Sequence, residues 1–139
     1  MTSQEAQEVW RERWTEAVVA PPSPRHRLLV AVEHDLVVGF AAHAPATDED
    51  CSPDDTAELL TLLVDPMHGR AGNGSRLLAA TVDTLREDGV TRMITWVFPG
   101  DRAMLMFLES AGWARDGVWR ELDMGEKVSM IRLHTDITK

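Results

Sequence analysis

One stretch of the chain, Leu59 to Leu78, restricts the possible folds more than any other. It begins as an apolar strand-like run that stops at Pro66, crosses a short loop containing Gly69, Gly72 and Gly74, and enters an amphipathic helix. Glycines allow positive φ values and close backbone approach, and the first N–H groups of a helix lack internal acceptors at its positive dipole end. The stretch therefore predicts an α/β domain with an anion cradle, suited to a phosphate or pyrophosphate.

The loop fits neither of the two common nucleotide-binding motifs. No Lys-Ser/Thr pair follows Gly74, and the spacing Gly69-x-x-Gly72-x-Gly74 lacks the first G-x-G of the dinucleotide fingerprint. Glycines between a strand and a helix also form ordinary tight turns, so a turn without a ligand stays open as an interpretation.

The flanking residues resemble the acetyl-CoA loop of the GNAT superfamily, the acetyl-CoA-dependent N-acyltransferases. A Val-Asp-Pro lead-in precedes the loop and a Ser-Arg-Leu-Leu segment follows it. The family pattern is Gln/Arg-x-x-Gly-x-Gly/Ala, and its two glycines fall on Gly72 and Gly74. The leading Gln/Arg position falls on Gly69, with Arg70 one residue later, which is a departure from the pattern.

A second feature of the family follows at the expected distance. A strand over Thr91 to Phe98 and a helix over Asp101 to Ala111 precede Gly112-Trp113, where the family usually has Gly-Phe. The resemblance covers Arg27 to Ile137 and favours the cofactor interpretation over the plain turn.

The resemblance implies acetyl-CoA as co-substrate and assigns roles along the loop. Backbone groups of the strand before it bind the pantetheine arm, and one N–H faces the thioester oxygen. The pyrophosphate lies on the loop amides, where Arg70 and Arg76 could add charge-assisted contacts; a solvated surface role is equally open for either arginine. Asp101 takes the place of an asparagine in the family pattern Asn-x-x-Ala-x-x-Phe-Tyr. The predicted cofactor residues are Leu62, Leu63, Val64, Gly69, Arg70, Ala71, Gly72, Asn73, Gly74, Ser75, Arg76 and Asp101.

Glu58 is the predicted catalytic residue. It matches the strand position from which many relatives supply a general base through water, and burial near the cleft would raise its pKa. A carboxylate in solvent at a strand end is the alternative. The family's tyrosine acid is absent, since the chain contains no tyrosine. A thiolate can leave without an acid, because a thiol pKa is about 8.5.

Apolar periodicity predicts one domain over residues 1–139 with a mixed central β-sheet flanked by helices. The first helix follows a capping box at Thr2 to Glu5 and runs to about Val19. Later elements are two strands joined at His34-Asp35, a central strand apolar on both faces, and a helix over Asp101 to Ala111 that is apolar nearly all round and expected to be buried. The further predicted elements are Arg27 to Glu33, Leu36 to Ala44, Thr56 to Asp65, Ser75 to Asp88, Thr91 to Phe98, Ala114 to Leu122 and Val128 to Ile137.

The chain begins at about the family's second helix, so we expect a GNAT domain without the usual N-terminal strand and first helix. That region forms part of the amine-binding wall in relatives, and here it would be open or supplied by a partner subunit. A bare strand edge at Arg27 to Glu33 favours a homodimer.

Composition limits the compartment and the partners. The 139 residues carry a formal net charge of −9, which opposes nucleic acid and anionic membranes and favours a cationic amine substrate. Cys51 is the single cysteine, which suits a reducing cytoplasm, and no signal peptide or membrane-length apolar run is present. The acidic segment Asp48 to Asp55 is expected to be a solvated loop, with a recognition surface as the alternative. The histidines show no metal-ligand spacing, so no metal site is expected.

The sequence thus predicts a cytoplasmic N-acetyltransferase that transfers an acetyl group from acetyl-CoA to a primary amine of a small-molecule or peptidyl substrate by direct attack on the thioester. A CoA-binding regulatory or interaction module without turnover is the first alternative. An α/β domain that binds no CoA is the second.

Overall fold

The computed structural model describes residues 25–68 and 72–138. The predicted first helix, over Thr2 to Val19, lies outside the described residues. In chain order the described elements are β1 (Arg27–Glu33), β2 (Leu36–Pro45), β3 (Thr56–Val64), a 3-10 turn (Pro66–His68), α1 (Asn73–Glu87), β4 (Arg92–Val97), α2 (Arg102–Ser110), β5 (Ala114–Asp123) and β6 (Lys127–Asp136). Every predicted element in this part of the chain is confirmed to within two residues at either end. A search of the described residues finds no helix with the length and apolar character of a membrane span.

The strands form one six-stranded mixed sheet in the order β1-β2-β3-β4-β6-β5. β3 and β4 are parallel and are connected through α1, whereas the other neighbouring strands pair antiparallel. The β1–β2 connection is the predicted two-residue hairpin. Both its residues have positive φ, 48° at His34 and 65° at Asp35, as a type I′ turn requires even without glycine. The fold is therefore the predicted α/β sheet architecture.

The parallel strands β3 and β4 stay together for only a short distance. Their register pairs Thr56 with Arg92 and ends where Glu58 faces Ile94. In the β2–β3 ladder Ala42 pairs with Thr61 and His43 with Leu59, which leaves Leu60 as a bulged residue without an opposing partner. Past Glu58 the two strands separate, so a gap opens in the sheet on the carboxyl side of β3.

Both described helices pack on one face of the sheet. α1 contributes Leu77, Leu78 and Leu85 to the core, and α2 contributes Leu105 and Leu108. These side chains contact buried residues of β2, β3, β4 and β6, including Ala41, Leu59, Met93 and Leu133.

Two burial predictions are wrong. α2 was expected to be buried all round, but Met106 is 70% exposed because only the stripe through Leu105 and Leu108 reaches the sheet. β3 was expected to be buried on both faces, yet Leu60 and Leu63 are 52% and 40% exposed. Their side chains point away from the face that the two described helices cover.

Candidate active site

A groove of about 450 Å³ lies between β3, the start of α1 and α2. On β3 it is lined by Leu62 and Val64, which lie beyond the last β3–β4 pair. Six residues predicted to bind the cofactor line it together: Leu62, Val64, Gly72, Gly74, Ser75 and Asp101. Ala103, Met104 and Phe107 of α2 complete the wall. We call this set of lining residues the groove.

The positive end of α1 opens onto the groove. Gly72 is the N-cap, with a left-handed φ of 78° and no capping side chain, and no acidic residue occupies the first turn. The first intrahelical bond runs from the Arg76 N–H to the Gly72 carbonyl at 3.1 Å, so the amides of Asn73, Gly74 and Ser75 have no acceptor within the helix. Backbone donors of this kind, with no carboxylate among them, suit the phosphates of a CoA molecule.

The narrow part of the groove is at Gly74. A Cβ there would lie 3.5 Å from the Phe107 ring and 3.7 Å from Cγ2 of Val64. A methyl group would therefore still fit in ordinary contact, whereas a long side chain would have to extend into the groove.

Asp101 also has a structural partner. Its carboxylate caps α2 by accepting a hydrogen bond from the Met104 N–H at 3.2 Å. This capping carboxylate lies across the groove from the α1 amides, on the wall formed by α2.

Other predicted cofactor residues point elsewhere or lie outside the description. Leu63 is on the opposite face of β3 from the groove. The Asn73 side chain is buried and donates to Oε1 of Glu33 at 3.1 Å, and the Arg76 guanidinium pairs with the same carboxylate at 3.5 Å. Both side chains thus reach toward β1, although the amide of Asn73 still belongs to the uncapped turn. Glu33 precedes Asn73 by 40 residues, so no local sequence pattern predicts their contact. Gly69, Arg70 and Ala71 lie outside the described residues.

Glu58 lies where β3 and β4 part. It forms the last pair of the parallel ladder with Ile94, on the sheet face opposite the two helices. The side chain is half-buried, and that burial raises the pKa of the Glu58 carboxyl. The negative charge of Asp48 raises this pKa further, while the positive charge of Arg120 lowers it. The raised pKa agrees with the expectation from the sequence.

A buried arginine organises the same face of the sheet. The Arg132 side chain, 2% exposed, forms ion pairs with Asp48 at 2.9 Å, Asp50 at 2.5 Å and Asp116 at 2.6 Å. Arg92 joins the group through Asp116 at 3.3 Å. We call these five residues the Arg132 cluster.

The acidic loop is mostly exposed, as predicted, but the Arg132 cluster anchors it through Asp48 and Asp50. Hydrogen bonds from Arg132 hold the pKa of Asp50 well below its usual range, and they tie the loop between β2 and β3 to β5 and β6. The acidic run is evident in the sequence, whereas its partner Arg132 follows Asp50 by 82 residues. The residues next to a single arginine in a strand do not predict which distant carboxylates will pair with it.

An aromatic residue completes this face. The Arg120 guanidinium lies 4.2 Å above the centre of the Trp96 ring, and that of Arg132 lies 5.9 Å from it. The indole Nε1 of Trp96 is buried and has no hydrogen-bond partner among the described residues. Sequence analysis singled out neither Trp96 nor Arg120.

Comparison with known proteins identifies the class. The model of the acetyltransferase (GNAT) family matches residues 2–113, which is most of the chain. The chain therefore belongs to the GNAT family, which makes it an acyltransferase. No curated protein sequence matches it significantly.

Solved structures share the fold at low sequence identity. The ribosomal-protein-S18-alanine N-acetyltransferase from Escherichia coli is 20% identical with a TM-score of 0.69, over 89% of this chain and 77% of that one. The ribosomal-protein-alanine N-acetyltransferase from Brucella melitensis is 21% identical with a TM-score of 0.68, over 97% and 79%. A GNAT family acetyltransferase from Elizabethkingia anophelis, solved with acetyl-CoA bound, is 16% identical with a TM-score of 0.66, over 86% of both chains.

Proposed function

We propose that this protein is an N-acetyltransferase that transfers the acetyl group of acetyl-CoA to a primary amine of a small-molecule or peptidyl substrate by direct attack on the thioester. The observation that supports the proposal most strongly is that Leu62 and Val64, which line the groove, follow Glu58 on β3, beyond the last pair of the β3–β4 ladder. A carboxylate with a raised pKa thus precedes, on the same strand, the residues of a groove that is bordered by an uncapped helix N-terminus.

The groove holds acetyl-CoA in this proposal. The amides of Asn73, Gly74 and Ser75 face the pyrophosphate, together with the loop of Gly69, Arg70 and Ala71. The backbone of Leu62, Leu63 and Val64 lies beyond the last β3–β4 pair, so its groups on that side can bind the pantetheine arm.

Glu58 acts as the general base. It accepts a proton from the substrate ammonium, directly or through water, and the neutral nitrogen attacks the thioester carbonyl. A C–N bond forms and a backbone N–H of β3 stabilises the oxyanion; the nitrogen then loses its second proton to solvent, and the C–S bond breaks to release the CoA thiolate. The chain contains no tyrosine to protonate that thiolate. A thiol pKa of about 8.5 makes an unprotonated departure feasible.

The remaining parts of the proposal concern context. We place one GNAT domain over residues 1–139 in the cytoplasm, acting on cationic amines because of the net charge of −9. Neither nucleic acid nor a membrane is a partner. β1 ends the sheet order and exposes Val32, so pairing of two copies through this edge would give a homodimer.

Thermal unfolding with and without acetyl-CoA tests the cofactor site. At a hundredfold excess over the dissociation constant, acetyl-CoA should stabilise the wild type by about 2.7 kcal/mol. Gly74→Glu should abolish this shift, because the new carboxylate would enter the groove beside the uncapped amides. Ala80→Glu is the matched control, since it adds the same charge on an exposed position of the same helix and should keep the shift.

Thiol release measured over a panel of amines then tests turnover. Amine-dependent release of CoA supports the enzyme. Stabilisation by acetyl-CoA without release for any amine would favour the CoA-binding module, which the missing tyrosine also suggests. Absence of any stabilisation in the wild type would overturn both.

A further inference from the structure

Arg120 extends from an edge strand toward the centre of the sheet. It lies on β5 and pairs in register with Met130 of β6, and its guanidinium reaches over β6 to cover Trp96 of β4. Trp96 follows Ile94 by two residues, so it shares the sheet face of Ile94 and of Glu58, which is paired with it. The guanidinium and the Glu58 carboxylate therefore stand on one face, beside the gap between β3 and β4.

Arg120 differs from its neighbours in its partners. Arg132 and Arg92 are both engaged with carboxylates of the Arg132 cluster. Among the described residues no carboxylate forms an ion pair with Arg120, whose one polar contact is a weak hydrogen bond to the Met130 sulfur at 3.8 Å. The side chain is also exposed. The N–H donors of the Arg120 guanidinium thus face solvent.

Stacking on Trp96 fixes the guanidinium without using its hydrogen-bond donors. A guanidinium packed flat on an indole ring keeps its N–H groups in the plane, directed outward. A fork held in this way matches the two oxygens of a carboxylate. Because less side-chain freedom remains to be lost, binding such a group costs less entropy.

The charges on this face favour a ligand group with one negative charge over a group with two. Counting Glu58 with the Arg132 cluster and Arg120, four carboxylates face three guanidinium groups. The cationic amine of an acceptor is favoured close to Glu58 and Asp48. A doubly charged phosphate near the same carboxylates would be repelled more than a carboxylate with one charge.

Resting on the proposed acetyl transfer, we infer that the acceptor carries a carboxylate as well as its amine, with Arg120 binding the carboxylate and Glu58 serving the amine. Free amino acids are the simplest members of this class. Arg120 is then a specificity-determining residue, and the Trp96 ring is the platform that holds it.

Pairs of free amino acids and their primary amides test the inference, because the two members differ at the carboxylate and share the side chain. For the preferred amino acid, kcat/KM of the wild type should exceed that of the amide about tenfold or more, the range expected for a charge-assisted hydrogen bond. Arg120→Gln should remove this preference, measured as the ratio of amino acid to amide within each protein, because the charge of Arg120 also lowers the pKa of Glu58 and its loss acts on both substrates. Arg120→Lys should restore part of it.

Arg115→Gln is the matched control. Arg115 lies on the same strand and is exposed, but it pairs in register with the core residue Leu133 and so points to the opposite face, where it contacts Glu109. This variant should keep the wild-type preference.

Calorimetric titration of the CoA-loaded protein gives a readout that does not depend on turnover. The amino acid should bind about tenfold more tightly than its amide to the wild type, and equally to Arg120→Gln. Equal binding of both to the wild type would overturn the inference, as would equal loss of both in the variant. Either result would leave the proposed acetyl transfer standing if amines still release CoA. Failure of acetyl-CoA to stabilise the protein would instead overturn the proposed function itself.

Discussion

The groove and the Arg132 cluster lie on opposite faces of the sheet and are built in opposite ways. Backbone amides of α1 and a short wall from β3 and α2 make the groove, with few charges. The Arg132 cluster consists of charged side chains from the β2–β3 loop, β4, β5 and β6. A site of backbone donors can be positioned by one stretch of chain, whereas a site of ion pairs exists only after distant strands have come together.

The difference also separates the tasks of the two regions. A groove of amides and apolar walls can hold a ligand whose reacting part is always the same, as a CoA thioester is. In the proposed reaction, side chains on the other face set the charge around the amine and can vary without changing the groove. Glu58 belongs to neither set, but it ends the β3–β4 ladder on the face of the Arg132 cluster and responds to the charge of Asp48.

Replacement of Glu58 should have the largest effect and tests whether the two regions meet there. Glu58→Gln should lower kcat/KM about 10²- to 10⁴-fold, the usual contribution of a general base. Stabilisation by acetyl-CoA should persist, because the groove keeps all its donors. Stopped assays of product across pH 4 to 8 provide the measurement.

The pH profile adds a second readout. A base works only when deprotonated, so wild-type activity should fall as the pH drops through the raised pKa of Glu58, above the ordinary value for a glutamate. Glu58→Gln should lose this limb. The exposed Glu109→Gln should keep both the rate and the limb. Unchanged kcat/KM in Glu58→Gln would remove the catalytic role.

Replacement of Arg132 tests whether the Arg132 cluster can be disrupted without affecting the groove. Arg132→Met should lower the free energy of unfolding by about 3 to 5 kcal/mol, because it removes the ion pair of the partly buried Asp48 and leaves Asp116 with only the longer pair to Arg92. Acetyl-CoA affinity should change little, since the groove shares none of these residues. Urea unfolding and a binding titration measure the two quantities.

Arg92→Met is the control for that loss. Arg92 makes one longer ion pair with Asp116 and is 32% exposed, so its removal should cost about 1 kcal/mol or less. Equal losses of unfolding free energy in the two variants would mean that the burial of Arg132 adds nothing to stability. Loss of acetyl-CoA affinity in Arg132→Met would show that the regions are not separable.

The same contrast explains how far the sequence could be interpreted. The strands, both described helices and the groove residues Gly72, Gly74 and Ser75 follow from apolar periodicity, turn chemistry and the resemblance of one local stretch. Arg132 and Arg120 could not be assigned, because their partners depend on the strand order β4-β6-β5. Burial of α2 was misjudged for a related reason. Its apolar composition does not say which side chains meet the sheet.

His43 is a polar side chain buried in the core beneath the helices. It pairs in register with Leu59 on the helix-covered face, it is 1% exposed, and neither ring nitrogen has a hydrogen-bond partner among the described residues. Burial lowers the pKa of His43 to about 4; the nearby Arg27 lowers it too, and Asp88 opposes the shift. Protonation is therefore easier in the unfolded chain, where the pKa is about 6.5.

Stability should consequently fall as the pH drops from about 6.5 to about 4. The neutral ring contributes fully above the unfolded pKa, and a difference of roughly 2.5 units at 1.36 kcal/mol each gives about 3 kcal/mol. His43→Leu should remove this dependence and gain stability over the wild type in that window. Urea unfolding at pH 7, 5.5 and 4 measures it. Parallel pH curves for the two proteins would contradict the assignment.

Gly72 provides the smallest and most specific test of a site built from backbone. Its φ of 78° is left-handed and a Cβ would meet nothing within 4 Å, so Gly72→Ala introduces conformational strain without a clash. The free energy of unfolding should fall by about 1 kcal/mol. Gly100→Ala is the matched control, because the space around Gly100 is equally open but its φ is not left-handed, and stability should stay equal or rise by a few tenths of a kcal/mol. Identical behaviour of the two variants would mean that the start of α1 does not depend on the conformation of Gly72, and the contrast between a backbone-built groove and a side-chain-built cluster would lose its best support.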